Sequence, residues 1–359
     1  MKLYMAIDLH STNNYVAAVS EDGKPIMNKR LRNDPGIILE TLAPYKDEVA
    51  GLAVESTYNW YWLVDLLMSE GYRVHLANPT AIRKYSGLKY ADDRHDARWL
   101  AELLRLGVLP EGYIYPKEQR PLRDLLRKRQ QLVRLRTSMM LSLQNLVTRH
   151  HGVKLGGSVL KRLGNPLEGY LEAHDDLKLA GTVSKQVIDY LTERIAALES
   201  HILKQVKEHE AYRHLMTIPG VGKILAMTIV LETGPVSRFA KVGRYASYCR
   251  KVQSLWLSNE KAKGKGNEKS GNKYLAWAFS EAAEIARRYD PACQAFFERK
   301  RRQSNRMVAH NALAHKLARA AYHVLRDNVA FEATKLFCEK PGRNGKPESV
   351  AGDPSRLIG

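Results

Sequence analysis

Four carboxylates stand where a folded chain can hold a hard cation. Asp8 closes the apolar run LYMAID ahead of a polar STNN turn, and Glu55 closes VAGLAVE in the same manner. A carboxylate ending an otherwise apolar strand must be solvated, paired or bound to metal. Two such acids at adjacent strand ends can share a divalent ion. Asp93 and Asp96 lie three residues apart in DRHDA, which puts both on one face of a helix. Helix capping competes for these two acids, with Asp92 the better capping candidate. An all-oxygen set of this kind suits Mg²⁺, and two-metal phosphoryl-transfer sites hold such ions about 4 Å apart.

The elements that must carry these acids are legible in the hydropathy pattern. From Leu3 to Ala77 the runs LYMAID, YVAAVS, PIMNKR, VAGLAVE and YRVHLA alternate as strands, separated by EDGK and SEGY turns, with helical stretches at Ile37–Leu42 and Trp60–Glu70. Three strands joined by hairpins, followed by alternating helices and strands, is the order of ribonuclease H-like folds, and other α/β folds share it. After Lys89 the pattern turns helical. Asp93–Leu106 reads as one amphipathic helix, and Leu122, Leu126, Val133, Met140, Leu143 and Val147 recur at helical spacing in a second. The other face of that second helix carries Arg120, Arg123, Arg127, Lys128, Arg129, Arg134 and Arg136, a polyanion surface on which Arg123, Arg127, Lys128 and Arg134 are the expected nucleic-acid contacts. Ile188, Leu191, Ile195, Leu198 and Ile202 step by three and four, a seam for a coiled coil within or between chains or for a single amphipathic helix on a globular core. Helices are also expected at Tyr274–Tyr289 and Met307–Arg326, and the PGRNGKPESVAGDPSRLIG tail is expected to be disordered.

The charge balance names a class of partner. Against 38 acidic residues the 359-residue chain sets 57 Lys and Arg, a formal charge of +19. Such an excess draws polyanions, because neutralising phosphates releases counterions. Net charge does not separate DNA from RNA. The three scattered cysteines, Cys249, Cys293 and Cys338, fit a reducing compartment and build neither a disulfide framework nor a zinc motif. The N-terminal MKLYMAIDLHS is interrupted by Asp8 and reads as a strand, not a signal peptide, and no run reaches the roughly 20 apolar residues of a membrane span. A cytoplasmic protein without membrane contact is expected, and one associated with the nucleoid if DNA is its ligand.

Two further segments suit phosphate. In TIPGVGK the glycines Gly220 and Gly222 ahead of Lys223 read as a helix-hairpin-helix turn, which brings backbone N–H groups to a DNA phosphate, or as a tight structural turn. In NEKAKGKGNEKSGNK the lysines Lys261, Lys263, Lys265, Lys269 and Lys273 alternate with glycines as a flexible loop able to hold DNA phosphates.

Taken together, the sequence resembles the DEDD transposases of the insertion-sequence 110 family, related to the Piv and MooV invertases. The matching segments are AIDLHS, VESTYNWYW, ANPTAIRKYSGLKYADDRHDARWLAELL, the TIPGVG turn, RFAKVGRYASYCRKVQSLWLS, GNEKSGNKYLAWAFSEAA and HKLARAAYHVLRDNVAF. They run through nearly the whole chain in order, with residues 151–182 the least matched. The resemblance implies a RuvC-like ribonuclease H domain over 1–115, a basic helical and coiled-coil region over 116–212, a mainly helical C-terminal transposase domain over 213–338 and a tail over 339–359. It makes Asp8, Glu55, Asp93 and Asp96 the Mg²⁺ ligands, two ions per site, and it places the catalytic serine at Ser258. Here the sequence departs from the family: Asn259 follows in place of Gly, and Arg250-Lys251-Val252-Gln253 replaces a Gly-Leu-x-Pro stretch. Asn tolerates the left-handed backbone better than most residues; Ser247 and Ser254 are rival nucleophiles, and Ser270 sits in a turn. The family further implies donor and target DNA as substrates and a structured guide RNA that pairs with both. It also implies a homo-oligomer, dimer or tetramer, in which serine and acids come from different subunits.

Three other readings compete. A Holliday-junction or structure-specific nuclease would use the four acids with water and no serine. An actin-like ATPase or sugar kinase begins with a similar strand and Asp but needs further glycine-rich phosphate loops, which are absent. A non-catalytic nucleic-acid-binding protein would be indifferent to Asp8→Asn.

Overall fold

A computed structural model describes residues 1–82, 93–164, 169–172, 174–252, 255–258, 261–265 and 270–337. The expected tail, 339–359, lies outside them. Strands β1 (Leu3–Leu9), β2 (Asn13–Ser20) and β3 (Pro25–Arg32) form an antiparallel meander, because each polar turn between them is too short for a crossover. Helix α1 (Pro35–Leu42) starts where Asp34 accepts from the Ile37 amide at 3.0 Å. It leads to β4 (Val49–Glu55), then α2 (Trp60–Ser69) and β5 (Val74–Ala77). Both later strands are parallel to β1, and the sheet order is β3-β2-β1-β4-β5.

Strand periodicity divides the sheet into two faces. Met5, Ile7, Leu52 and Val54 pack beneath α1 and α2, whereas Ala6, Ala53 and Ala77 face the other way. The small alanines leave room for α3 (Asp93–Arg105), which lays Ala97, Leu100, Ala101 and Leu104 on that second face. Its C-terminal end sits over the start of β1: Arg105 Nη1 donates to the Glu21 carbonyl at 3.0 Å, and the Glu21 amide donates to the Lys2 carbonyl at 3.0 Å. The helix therefore runs back along β1, over a length of about 19 Å that matches the strand.

Beyond the sheet the described chain is helical apart from one hairpin. Helix α4 (Arg120–His151), rich in Leu, Arg, Gln and Met, is a strong helix former with Pro in its first turn. The short α5 (Gly157–Arg162) precedes α6 (Asp175–Val206), which returns antiparallel to α4. Arg129 pairs with Glu199 at 2.6 Å and Arg136 Nη1 donates to Thr192 Oγ1 at 3.3 Å, so partners retreat by seven residues as α4 advances by seven. The seam of Ile188, Leu191, Ile195 and Ile202 is buried, so it is met within the chain. Helix α6 starts at Asp175, within the stretch that looked irregular in sequence.

The final core gathers α7 (Glu210–Leu215), α8 (Lys223–Thr233), α9 (Val242–Tyr248), α10 (Lys273–Tyr289), α11 (Pro291–Gln303), α12 (Arg306–Asp327) and α13 (Ala333–Leu336). Between α9 and α10 the lysine-rich segment is not wholly a loop. Residues β6 (Leu255–Ser258) and β7 (Lys261–Lys265) pair antiparallel, because KAKGK alternates against the β-prone LWLS.

Candidate functional site

The parallel pairing of β1 with β4 sets Ile7 beside Val54, so Asp8 and Glu55 end neighbouring strands. Adjacent strands lie about 4.8 Å apart. Both acids fall on the alanine face, two residues beyond Ala6 and Ala53. The antiparallel course of α3 brings its first turn, with Asp93 and Asp96, to that same end of the sheet. Four acids distant in sequence are thus delivered to one edge by two strand ends and one helix start. Asp96 is half-buried; the Asp93 side chain lies outside the described residues.

Asp8 is 3 % exposed, an anion that must be compensated. His10 Nε2 stands 3.3 Å from its Oδ2. The turn carrying His10 is pinned from two sides: Asn33 Nδ2 and Asn59 Nδ2 both donate to the His10 carbonyl, at 2.9 and 3.0 Å. Asn14 holds Asn33 at 2.9 Å, and Thr57 donates to Asn59 Oδ1 at 2.8 Å. His10, Asn33 and Asn59 were not singled out in the sequence, although AIDLHS and VESTYNWYW contain two of them. Among the described residues no group of three His, Cys, Asp or Glu side chains forms a closed metal cluster. The donor chemistry still suits a hard divalent ion, since all the candidate ligands are carboxylates and Asp8 and Glu55 stand at the same end of paired strands.

Ser258 is the last residue of β6, paired with Lys261 at the turn of the hairpin. Its side chain and those of Lys261 and Lys265 lie outside the described residues, as do Gln253, Ser254, Asn259 and Lys269 altogether. The neck of this hairpin is rigidly built. Gly271 has φ +94° and passes against the Tyr248 carbonyl, where any Cβ would collide. Arg250 Nη2 donates to the Gly271 carbonyl at 2.9 Å, and the Asn272 amide donates to the Tyr248 carbonyl at 2.6 Å. Asn272 caps α10 by accepting from the Tyr274 and Leu275 amides, and its Nδ2 donates to Glu232 at 2.7 Å. Lys251 leaves α9 into a partly buried position, with Nζ donating to Ser280 Oγ at 2.6 Å. Burial pushes its ammonium pKa down to about 8.

The arginine-rich helix is narrower as a polyanion surface than its sequence suggests. Arg120 is buried, its Nη1 shared between the two Asp65 carboxylate oxygens at 2.8 and 2.9 Å, and Arg123 is buried with its guanidinium 3.8 Å from the Tyr115 ring centroid. Arg127 pairs with Glu232 through two hydrogen bonds of 2.6 and 2.7 Å. Burial opposes its charge, but the Glu232 bonds outweigh that, leaving the guanidinium pKa above its ordinary value. Arg129 and Arg136 bind α6. A helix read alone shows these arginines as one solvent face; packing turns five of them inward as clamps between elements. Lys128 and Arg134 stay exposed.

In the TIPGVG turn the two glycines differ. Gly220 has φ +77°, and a Cβ there would strike the Ala282 carbonyl of α10, so this glycine serves close packing. Gly222 is exposed with open space around it and precedes Lys223, also exposed, at the start of α8. Lys263 and Lys273 are exposed as well.

Comparison with known proteins agrees over both ends of the chain. Residues 5–151 match the DEDD model of IS110 elements, described as Transposase, and residues 212–298 match the model described as Transposase IS116/IS110/IS902 family. The chain is 23% identical over 346 residues to the transposase for insertion sequence element IS1328 of Yersinia enterocolitica, covering 91% of this chain and 98% of that one. It is 23% identical over 286 residues to the transposase for insertion sequence element IS1111A of Coxiella burnetii, covering 76% and 74%.

Proposed function

The chain belongs to the IS110 family and is a DNA transposase; from that premise we propose that it cuts and rejoins DNA through a phosphoserine at Ser258. The observation that supports metal-dependent strand cleavage is the convergence of Asp8, Glu55 and the start of α3 at one end of the sheet; the place of Ser258 within the matched stretch 212–298 supports the serine. The strand order, three antiparallel and two parallel, supports a RuvC-like ribonuclease H fold for this half.

Asp8, Glu55, Asp93 and Asp96 would hold Mg²⁺, two ions per site. When bound, these ions stabilise charge on the scissile phosphate. In the step itself the Ser258 Oγ forms a bond to phosphorus, the phosphorus bond to one sugar oxygen breaks, the serine proton passes to a base, and the sugar oxygen leaves as a hydroxyl. One phosphoester replaces another, so no nucleotide is consumed. Reversal by a second DNA end completes the exchange. Asp8, buried and braced by the His10 turn, orients the acid edge; the clamped neck holds the Ser258 hairpin.

Gly222, Lys223, Lys261, Lys263, Lys265, Lys269 and Lys273 would hold donor and target DNA, and Lys128 and Arg134 would meet a structured guide RNA. The +19 charge supports both roles. Leu179, Val183, Val187 and Tyr190 form an exposed stripe on α6, which supports association into a homo-oligomer. Among the described residues no helix is long and apolar enough to cross a membrane.

Trapping tests the chemistry. With the element's end DNA and Mg²⁺, the protein should give an SDS-stable protein–DNA adduct whose phosphopeptide contains Ser258. Ser258→Ala should give none, and Asp8→Asn should lose cleavage while keeping its melting temperature. Normal cutting by Ser258→Ala, without any adduct, would establish the water-using nuclease instead.

A further inference from the structure

A groove of about 340 Å³ opens between α4 and the first turn of α10, lined by Asp124, Arg127, Lys128, Gln131, Arg134 and Tyr274. Its inner wall is a guanidinium–aromatic contact held in place by a buried carboxylate. The Arg127 guanidinium lies 4.7 Å from the Tyr274 ring centroid, and Glu232, 1 % exposed, holds that guanidinium from behind. Its rim is cationic and exposed. Lys128 and Arg134 are exposed, six residues or about 9 Å apart along α4, and Lys273 is exposed beside Tyr274 with Nζ 5.3 Å from the ring centroid. Asp124 lies on the far side, accepting from Tyr61 Oη at 3.3 Å and 3.9 Å from Arg127.

We propose that this groove binds an unstacked nucleotide of a single-stranded nucleic acid, its base against the Tyr274–Arg127 wall and its flanking phosphates on Lys128, Arg134 and Lys273. The volume is in the range of small-ligand sites, and the lining divides as a nucleotide does, a flat wall for the base and point charges for the backbone. The Gln131 side chain, bonded to Lys128 at 3.0 Å, offers an amide for a base edge. A paired base in a duplex cannot present its face to such a wall. The groove adjoins Asn272, at the neck of the Ser258 hairpin, because Asn272 accepts from the Tyr274 amide at 2.8 Å and donates to Glu232 at 2.7 Å. The inference rests on the proposed function only in taking nucleic acid as the ligand. The strand can be DNA opened at the site or an unpaired stretch of RNA, and the chemistry is shared.

Photocrosslinking of the full-length protein with oligonucleotides bearing a single 5-iodouracil tests it, in three arms: single-stranded RNA, single-stranded DNA and duplex DNA. An adduct mapped to Tyr274 is expected with a single strand and absent with duplex, and the arm that crosslinks identifies the source. Tyr274→Phe should retain affinity, Tyr274→Ala should lose about five- to hundredfold for single strands, and Lys128→Gln with Arg134→Gln should flatten the log–log salt slope by about 1.4. The proposal is overturned if Tyr274→Ala, melting as the parent does, binds single strands equally well, or if the adduct maps elsewhere. Loss of the Ser258 adduct with the Tyr274 crosslink intact would sink the phosphoserine reading and leave this one standing.

Discussion

Asp8 and Glu232 are both buried carboxylates, and their surroundings assign them opposite tasks. Glu232 is satisfied completely by protein, with Arg127 on one side and Asn272 on the other. Removing one partner of such a pair strands a buried charge. Arg127→Met should therefore cost about 3 kcal/mol in urea unfolding, and Arg127→Met with Glu232→Leu should recover part of that loss; an additive double variant would refute the clamp. Asp8 has His10 Nε2 3.3 Å from its Oδ2; if it holds a metal ion as proposed, its Asn variant should cost activity more than stability. Lys251 gives a pH signature. Its folded pKa near 8 lies below the ordinary lysine value, so between about pH 8 and 10.4 the unfolded chain binds more protons and stability rises with pH. Below pH 8 both states are protonated and the penalty is constant. Urea midpoints of the protein minus those of Lys251→Met should climb across that window and stay flat beneath it.

At the scale of elements, the TIPGVG turn separates two kinds of glycine. Gly220→Ala pushes a methyl into the backbone of α10 from a left-handed conformation, and this variant should be destabilised by several kcal/mol or fail to fold. Gly222→Ala has open space and ordinary φ, so it should cost less than about 1 kcal/mol. If the start of α8 meets a phosphate, Gly222→Ala and Lys223→Gln should weaken DNA binding at unchanged melting temperature. The hairpin of β6 and β7 was hidden in the sequence for a physical reason. Lysine and glycine are weak strand formers, and only pairing with LWLS makes KAKGK a strand. The α4–α6 pair shows the opposite case: its seam was visible, but whether the partner lay in the same chain was not a local property.

For the molecule as a whole, Arg120 joins the sheet half to the helical half. It binds Asp65, donates to the Tyr115 carbonyl at 2.6 Å and lies over the Trp60 and Tyr61 rings. Tyr115 in turn donates to the Leu231 carbonyl at 2.5 Å in α8. Arg120→Ala should uncouple the halves, giving two calorimetric transitions where the parent gives one. If copies associate through the exposed stripe on α6, Val183→Glu with Val187→Glu should lower the mass seen by light scattering without altering the melting of the monomer.

The sequence by itself determined the strands of the five-stranded sheet, most helices and which acids end apolar runs or share a helix face. Each depends on local chemistry: period-two alternation, helical spacing, or a charge ending an apolar run. It also disclosed the polyanion partner through net charge. Tertiary structure alone decided which acids share an edge, because that depends on the parallel register of β1 with β4 and on the return course of α3. It decided, too, that most arginines of α4 are clamps and that Lys128 and Arg134 stay exposed. Helical periodicity tells which residues share a face, but only packing tells whether that face meets water, phosphate or a carboxylate of the same chain.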